Sequence, residues 1–168
     1  NDNSKLTCRL NGLSNHSPYK IDIDRKLKIN NSSMIFKSFF GEKTIIYFDS
    51  INFNKKVPKL DLHNVIYKDL RNIPNIKEDF WNSLLKDISN FGINNLMIES
   101  GPVFSNLLFK KKLIDQIAIF RSGKIIGNDG IPFLGDLVSK NILDLQNFQL
   151  VEHKIFDNDT FELRRLLN

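Results

Sequence analysis

NNLMIESGPVFSNLLFKKKLIDQIAIF, Asn94–Phe120, holds a short apolar run, a carboxylate, a Ser-Gly-Pro turn, an amphipathic stretch closed by three lysines, and a second apolar run. Its pattern predicts a strand over Asn95–Ile98, a helix from about Pro102 to Lys112, and a strand over Gln116–Phe120. Pro102 suits the first helical position, where a missing N–H costs nothing. Gly101 lacks a Cβ and lets a ligand approach the backbone. The N–H groups of Val103, Phe104 and Ser105 are then expected to face whatever sits above the helix start, with the positive end of the helix dipole behind them. Lys110, Lys111 and Lys112 fall at the opposite end, where cations are favourable. Glu99 is expected at the carboxyl end of its strand, the edge where open α/β sheets bind ligands. Two readings of the turn stay open: a well-capped βα connection with Glu99 as a helix cap, or an anion site with Glu99 holding the neighbouring group.

Upstream, YKIDI at Tyr19–Ile23 alternates as a half-buried strand does. TIIYF, Thr44–Phe48, is a continuous β-branched and aromatic run that predicts a strand buried on both faces. NVIY at Asn64–Tyr67 repeats it more weakly. Between Pro74 and Gly92 the period changes: Ile76, Phe80, Leu84 and Ile88 recur every four residues, with Trp81 and Leu85 beside them, and Gly92 is placed to end that helix. Phe148–Phe156 and Thr160–Leu166 bracket Asp157-Asn158-Asp159 and predict a long β-hairpin. Strands alternating with helices and closed by a hairpin give an α/β fold, a mainly parallel sheet with an antiparallel edge. The chain shows no internal repeat and no linker, so its 168 residues are expected to form a single domain, 1–168.

A net charge of +5 and a pI near 9.3 invite a nucleic-acid reading, but arginine, the better bidentate reader, occurs only six times. Lysine, isoleucine and asparagine abound together, as AT-rich coding favours, and the bases are dispersed rather than gathered in a stripe. A phosphorylated small molecule is served as well by this charge as a polynucleotide. One cysteine, Cys8, excludes an internal disulfide and a multi-cysteine zinc site, and fits a reducing cytoplasm. His16, His63 and His153 lie in no metal-ligand spacing, so no metal site is expected. No apolar run approaches the ~20 residues of a membrane helix. There is no nucleophile elbow, P-loop or HExxH motif. Asp22 and Asp24 in IDID have the look of a catalytic pair, or equally of a solvated strand edge.

IESGPVFSNLLFKKKLIDQIAIFRSGKIIG resembles the signature of the reductase domain of the bifunctional riboflavin-biosynthesis deaminase–reductases, Glu-Gly/Ala-Gly-Pro, helix, Leu-Val-Asp-Glu, strand, Pro-Lys-Leu-Leu-Gly. DNSKLTCR near the start is similar to that family's Asp-Asn-Pro-x-Leu-Thr-x-Arg, and YKIDID to its Arg-Val-Val-Leu-Asp-Ser. The three lie in the family's order and span nearly the whole chain. The resemblance implies a dihydrofolate-reductase-like three-layer α/β fold and NADPH-dependent reduction of 5-amino-6-(5-phosphoribosylamino)uracil to its ribityl form. A hydride would reach C1′ of the sugar in its ring-opened imine form. It further implies that Asp2, Arg25, Gly101, Pro102, Val103, Phe104, Ser105, Asn106 and Leu107 bind the cofactor, and that Leu6, Arg9 and Glu99 bind the substrate. Ser4, Gly123 and Arg25 depart from the pattern, which has proline, proline and serine there. The family's reductase domain begins upstream of Asp2, so this chain is expected to be the carboxy-terminal part of a longer enzyme, without the first strands and without a deaminase domain. A homo-oligomer is implied, and neither nucleic acid nor membrane as partner. Two alternatives stand beside this reading: a reductase of the same fold group acting on another pterin or pyrimidine, and a non-catalytic nucleotide-binding or dimerisation module.

Overall fold

The computed structural model describes residues 3–13, 16–37, 41–52, 63–127, 130–134 and 147–167. The chain divides into two compact units, Asn1–Leu96 and Met97–Asn168.

The first unit is a parallel sheet of β1 (Lys20–Ile23), β2 (Thr44–Phe48) and β3 (Val65–Asp69), in the order β1-β2-β3, with helix α1 (Phe80–Ser89) after it. Lys20 pairs with Thr44, and Thr44 with Val65. All five residues of β2 are buried, as its unbroken apolar run predicts. Ile45 and Tyr47 point to one face and pack with Leu70, Ile73, Leu84 and Ile88, ringed by Ile21, Ile66, Phe80 and Trp81 among others. Burial of each such side chain contributes roughly 1.5–3 kcal/mol. The helical stripe is therefore the one that the four-residue spacing predicts, although Ile76 precedes α1 rather than lying within it. Asp79 starts the helix by accepting from the Asn82 N–H, and Gly92 follows it in the left-handed region (φ 77°).

Two polar devices fix this unit. The Tyr47 hydroxyl donates to Asp87 on α1 at 2.8 Å, and Lys68 on β3 reaches the other oxygen of Asp87 at 3.0 Å. Burial, reinforced by Asp87, pushes the Tyr47 phenol far above its usual range, so it stays a donor. On the other side of the sheet, Lys20 and Glu42 form an ion pair at 3.0 Å with both side chains essentially buried. Lys20 Nζ also donates to the Lys37 carbonyl at 2.8 Å, and Thr44 Oγ1 to that of Ile35 at 3.0 Å. These bonds hold the 3-10 turn Met34–Phe36, whose Phe36 is buried, against the sheet.

The second unit holds helix α2 (Pro102–Lys110) and an antiparallel sheet of β4 (Gln116–Arg121), β5 (Phe148–Phe156) and β6 (Asp159–Leu166), in the order β4-β6-β5. The hairpin β5–β6 forms as expected, with a bulge between Leu150 and Glu152 and a turn that places Asp157 at φ 52°. The antiparallel part is larger than the hairpin alone, since β4 pairs along β6 from Gln116↔Arg165 to Arg121↔Thr160. Gly123 backs onto the hairpin turn: a Cβ there would lie 2.8 Å from the Asn158 carbonyl oxygen, and the Gly123 N–H donates to Asp159 at 3.3 Å. A proline, with a ring and no N–H, fits neither condition, which accounts for the departure at this position.

One expected element is absent. Asn95–Ile98 forms no strand, and Leu96, Met97 and Ile98 are exposed (40, 80 and 42%). The physical reason is pairing: an apolar run becomes a strand only when a neighbour takes its N–H and C=O groups, and among the described residues none does.

Candidate functional site

Of the residues implied to bind ligands, Asp2 lies outside the described residues. Leu6, Arg9 and Arg25 belong to the first unit, and Glu99 and Gly101–Leu107 to the second.

In the second unit the residues implied to face a ligand stand at the start of α2. Gly101 is its N-cap and Pro102 its first residue, as the turn predicts, and no side chain caps the helix. Glu99 is exposed and makes no hydrogen bond or ion pair among the described residues, so it is not the helix cap that the simpler reading required. Without the strand before it, Glu99 stands on irregular backbone rather than at a strand end. The amide expectation needs one correction. The Ser105 N–H donates to the Gly101 carbonyl at 3.1 Å, the first bond of the helix, and so is not available to a ligand. Ser105 acts instead through its hydroxyl, which lies 3.0 Å from that of Ser100 and ties the turn to the helix. Val103, 84% exposed, sits on the open side.

The glycine is informative here. Gly101 has φ −75° and ψ 172°, extended backbone that any residue adopts. Among the described residues, a Cβ built on it would meet no atom within 4 Å. Neither conformation nor packing demands glycine, and what its missing side chain leaves is bare space at a helix N-terminus. Helix N-termini in general can receive an anion through backbone N–H donors and the helix dipole.

In the first unit, Arg25 follows β1 and pairs with Asp49, which follows β2: Nη2 donates to Oδ2 at 2.8 Å, and the Asp49 N–H donates to the Arg25 carbonyl at 3.2 Å. The side chain of Arg25 remains 61% exposed. Asp49 was not foreseen; only the strand register, which brings the carboxyl ends of β1 and β2 together, reveals it. Asp24 serves its own turn, accepting from the Ile29 N–H at 2.7 Å and the Lys26 N–H at 3.3 Å. Burial and the charge of Asp24 raise the Asp22 carboxyl above its usual range. With one partner engaged in a turn, the Asp22/Asp24 pair has the build of a strand terminus. At β3, burial pushes the Asp69 carboxyl up, but the Ser50 hydroxyl and the Arg71 and Ser50 N–H groups outweigh it, leaving the group below its usual range.

Arg9 is exposed and Leu6 half-buried with a left-handed backbone, φ 50°. His16, His63 and His153 are all exposed, and no group of metal-ligating side chains occurs among the described residues. Within the same residues no helix is long and apolar enough to cross a membrane.

The profile of the RibD C-terminal domain matches residues 1–161. A 5-amino-6-(5-phosphoribosylamino)uracil reductase of Buchnera aphidicola subsp. Acyrthosiphon pisum is 30% identical over 131 residues, which cover 78% of this chain and 58% of the relative. A 2,5-diamino-6-ribosylamino-4(3H)-pyrimidinone 5′-phosphate reductase of Kluyveromyces lactis is 28% identical over 138 residues, covering 79% of this chain and 52% of the relative. The chain thus spans little more than half the length of these two proteins. Among solved structures, a deaminase/5-amino-6-(5-phosphoribosylamino)uracil reductase from Thermotoga maritima superposes with a TM-score of 0.74 at 19% identity, covering 99% of this chain and 42% of that one. The riboflavin biosynthesis reductase Rib7 of Saccharomyces cerevisiae gives 0.66 at 22% identity, covering 99% and 70%. These likenesses bear out the dihydrofolate-reductase-like α/β fold expected from the sequence.

Proposed function

The chain belongs to the RibD C-terminal domain family, and from that premise we propose that it carries the NADPH-dependent reduction of 5-amino-6-(5-phosphoribosylamino)uracil to its ribityl form. The observation that supports this most is the bare helix start at Gly101, a cradle for a phosphate where neither backbone nor packing requires glycine. A nicotinamide cofactor, when bound, supplies the hydride.

The chain's own residues bind and orient. Gly101–Leu107 holds cofactor phosphates through the Val103 N–H and its neighbours, and Asp2 adds a contact. Arg25 takes the 2′-phosphate. Its guanidinium has five donors, and Asp49 occupies one edge and steadies it, which leaves donors for an anion. Arg9 grips the substrate phosphate, Leu6 lies along the substrate, and the unpaired Glu99 carboxylate accepts from its hydroxyl or amino groups. Catalysis of this kind rests on holding two ligands in register rather than on covalent help from the protein.

The same reading makes residues 1–168 one reductase domain of a longer chain. It also makes the protein a cytoplasmic homo-oligomer.

Arg25→Ala in the intact protein tests the cofactor assignment. Fluorescence titration should show NADPH weakened by ~1–3 kcal/mol, the order of a charge-assisted hydrogen bond, and NADH almost untouched. Equal losses for both, or none for either, would mean that Arg25 does not read the phosphate.

A further inference from the structure

The segment 3–9, which carries Leu6 and Arg9, has no helix or strand to shape it. Its form must come from anchors. The Met34 N–H donates to the side-chain oxygen of Asn3 at 2.8 Å, and the Cys8 N–H donates to Ser17 Oγ at 3.2 Å. Between these two points Leu6 adopts a left-handed backbone, φ 50°, which is unfavourable for a branched side chain and persists only where the surroundings hold it.

The mount for the first anchor is firm. Met34 opens the 3-10 turn whose carbonyls at Ile35 and Lys37 accept from Thr44 and from the buried Lys20. Phe36 in the same turn is 4% exposed. Asn3 therefore hangs an irregular arm on a turn rooted in the core of the first unit. Its own backbone is left-handed, φ 52°, a conformation that asparagine tolerates better than most residues. Side chain and backbone both suit the position.

We propose that Asn3 is a positioning residue that holds Ser4–Arg9 in the bend presenting Leu6 and Arg9 to the phosphorylated substrate. This rests on the roles given to Leu6 and Arg9 above. Three substitutions separate its two contributions. Asn3→Asp keeps the acceptor and tolerates the left-handed backbone, Asn3→Gly keeps only the backbone freedom, and Asn3→Ala keeps neither.

In the intact protein, two quantities are measured for each variant: KM and kcat for the pyrimidine substrate, and the exchange rate of the Met34 amide. Asn3→Gly should raise KM by roughly five- to tenfold with a much smaller change in kcat, as expected for the loss of one neutral hydrogen bond. Asn3→Ala should raise it further, and Asn3→Asp should restore most of the wild-type value. Met34 amide exchange should quicken in the same order. The proposal is overturned if Met34 exchange is unchanged in Asn3→Gly, or if exchange quickens while KM stays put. A wild-type protein that does not turn over the pyrimidine at all refutes the functional reading itself, whereas turnover that is indifferent to Asn3 refutes only the positioning role.

Discussion

β2 and β6 are the middle strands of two three-stranded sheets, and they are buried in opposite ways. Every residue of β2 is buried, and its core neighbours are aliphatic or aromatic. Of the eight residues of β6 only Glu162 is buried, and it is a carboxylate held by Arg121 on β4 and, at 2.7 Å, by Arg164. A parallel strand covered on both faces gains its stability from continuous apolar burial. An antiparallel strand with an open face depends on cross-strand pairs, here the Arg121–Glu162 ion pair and the Phe120–Phe161 ring contact at 4.8 Å between centroids. Phe120 nevertheless stays 74% exposed, and Ile155 and Phe156 on β5 69 and 55%. Among the described residues, the first unit carries an apolar core around β2, while the sheet of the second relies more on pairing between its strands.

The largest effect is expected at the Lys20–Glu42 pair, whose two side chains are essentially buried in the first unit. Lys20→Met removes the buried ion-pair partner of Glu42 and should cost about 3–5 kcal/mol in a denaturant titration, most of it recovered by adding Glu42→Leu. A double variant as unstable as the single would show that the pair matters through something other than its charges. Next come two truncations that set the regions against each other. Leu84→Ala, in the core, should cost about 2–5 kcal/mol, and Phe120→Ala, on the second sheet, only about 0.5–1.5 kcal/mol. Similar losses would erase the contrast between a core and a paired sheet.

The smallest effect sharpens the electrostatic side of the comparison. The Arg164 hydrogen bond, helped by Arg121 against the cost of burial, holds the Glu162 carboxyl below its usual range. A carboxyl lowered in the folded state adds stability above its unfolded range, and that contribution is lost as pH falls through the folded value. Glu162→Gln should therefore be less stable than wild type at neutral pH and should lose less on acidification. Parallel acid-limb curves would remove the ion pairs from the account.

What the sequence disclosed, and what it did not, follows the same physics. β2 and the stripe of α1 were legible because burial imposes a period on residue type, and the hairpin because Asp157-Asn158-Asp159 interrupts two β-prone runs. The start of α2 was legible because Gly-Pro has a fixed place at a helix N-terminus. Asn95–Ile98 misled because its composition is that of a strand, whereas strand formation depends on a partner that composition does not record. Asp49 and Asn3 were hidden for a related reason. Each acts across a gap in sequence, 24 residues from Arg25 and 31 from Met34, that only folding closes. The free amide assigned to Ser105 failed on a count of one residue, since the helix takes that N–H for its first bond.

The central claim is most directly tested by following NADPH oxidation by the intact protein with 5-amino-6-(5-phosphoribosylamino)uracil, for wild type beside Glu99→Gln. Wild type should give a ribityl product. Glu99→Gln should show a kcat/KM lower by roughly 10- to 100-fold, the equivalent of one hydrogen bond to a charged acceptor, with NADPH affinity nearly unchanged. A wild-type protein that oxidises no NADPH in the presence of this pyrimidine, or a Glu99→Gln enzyme as efficient as wild type, would contradict the claim.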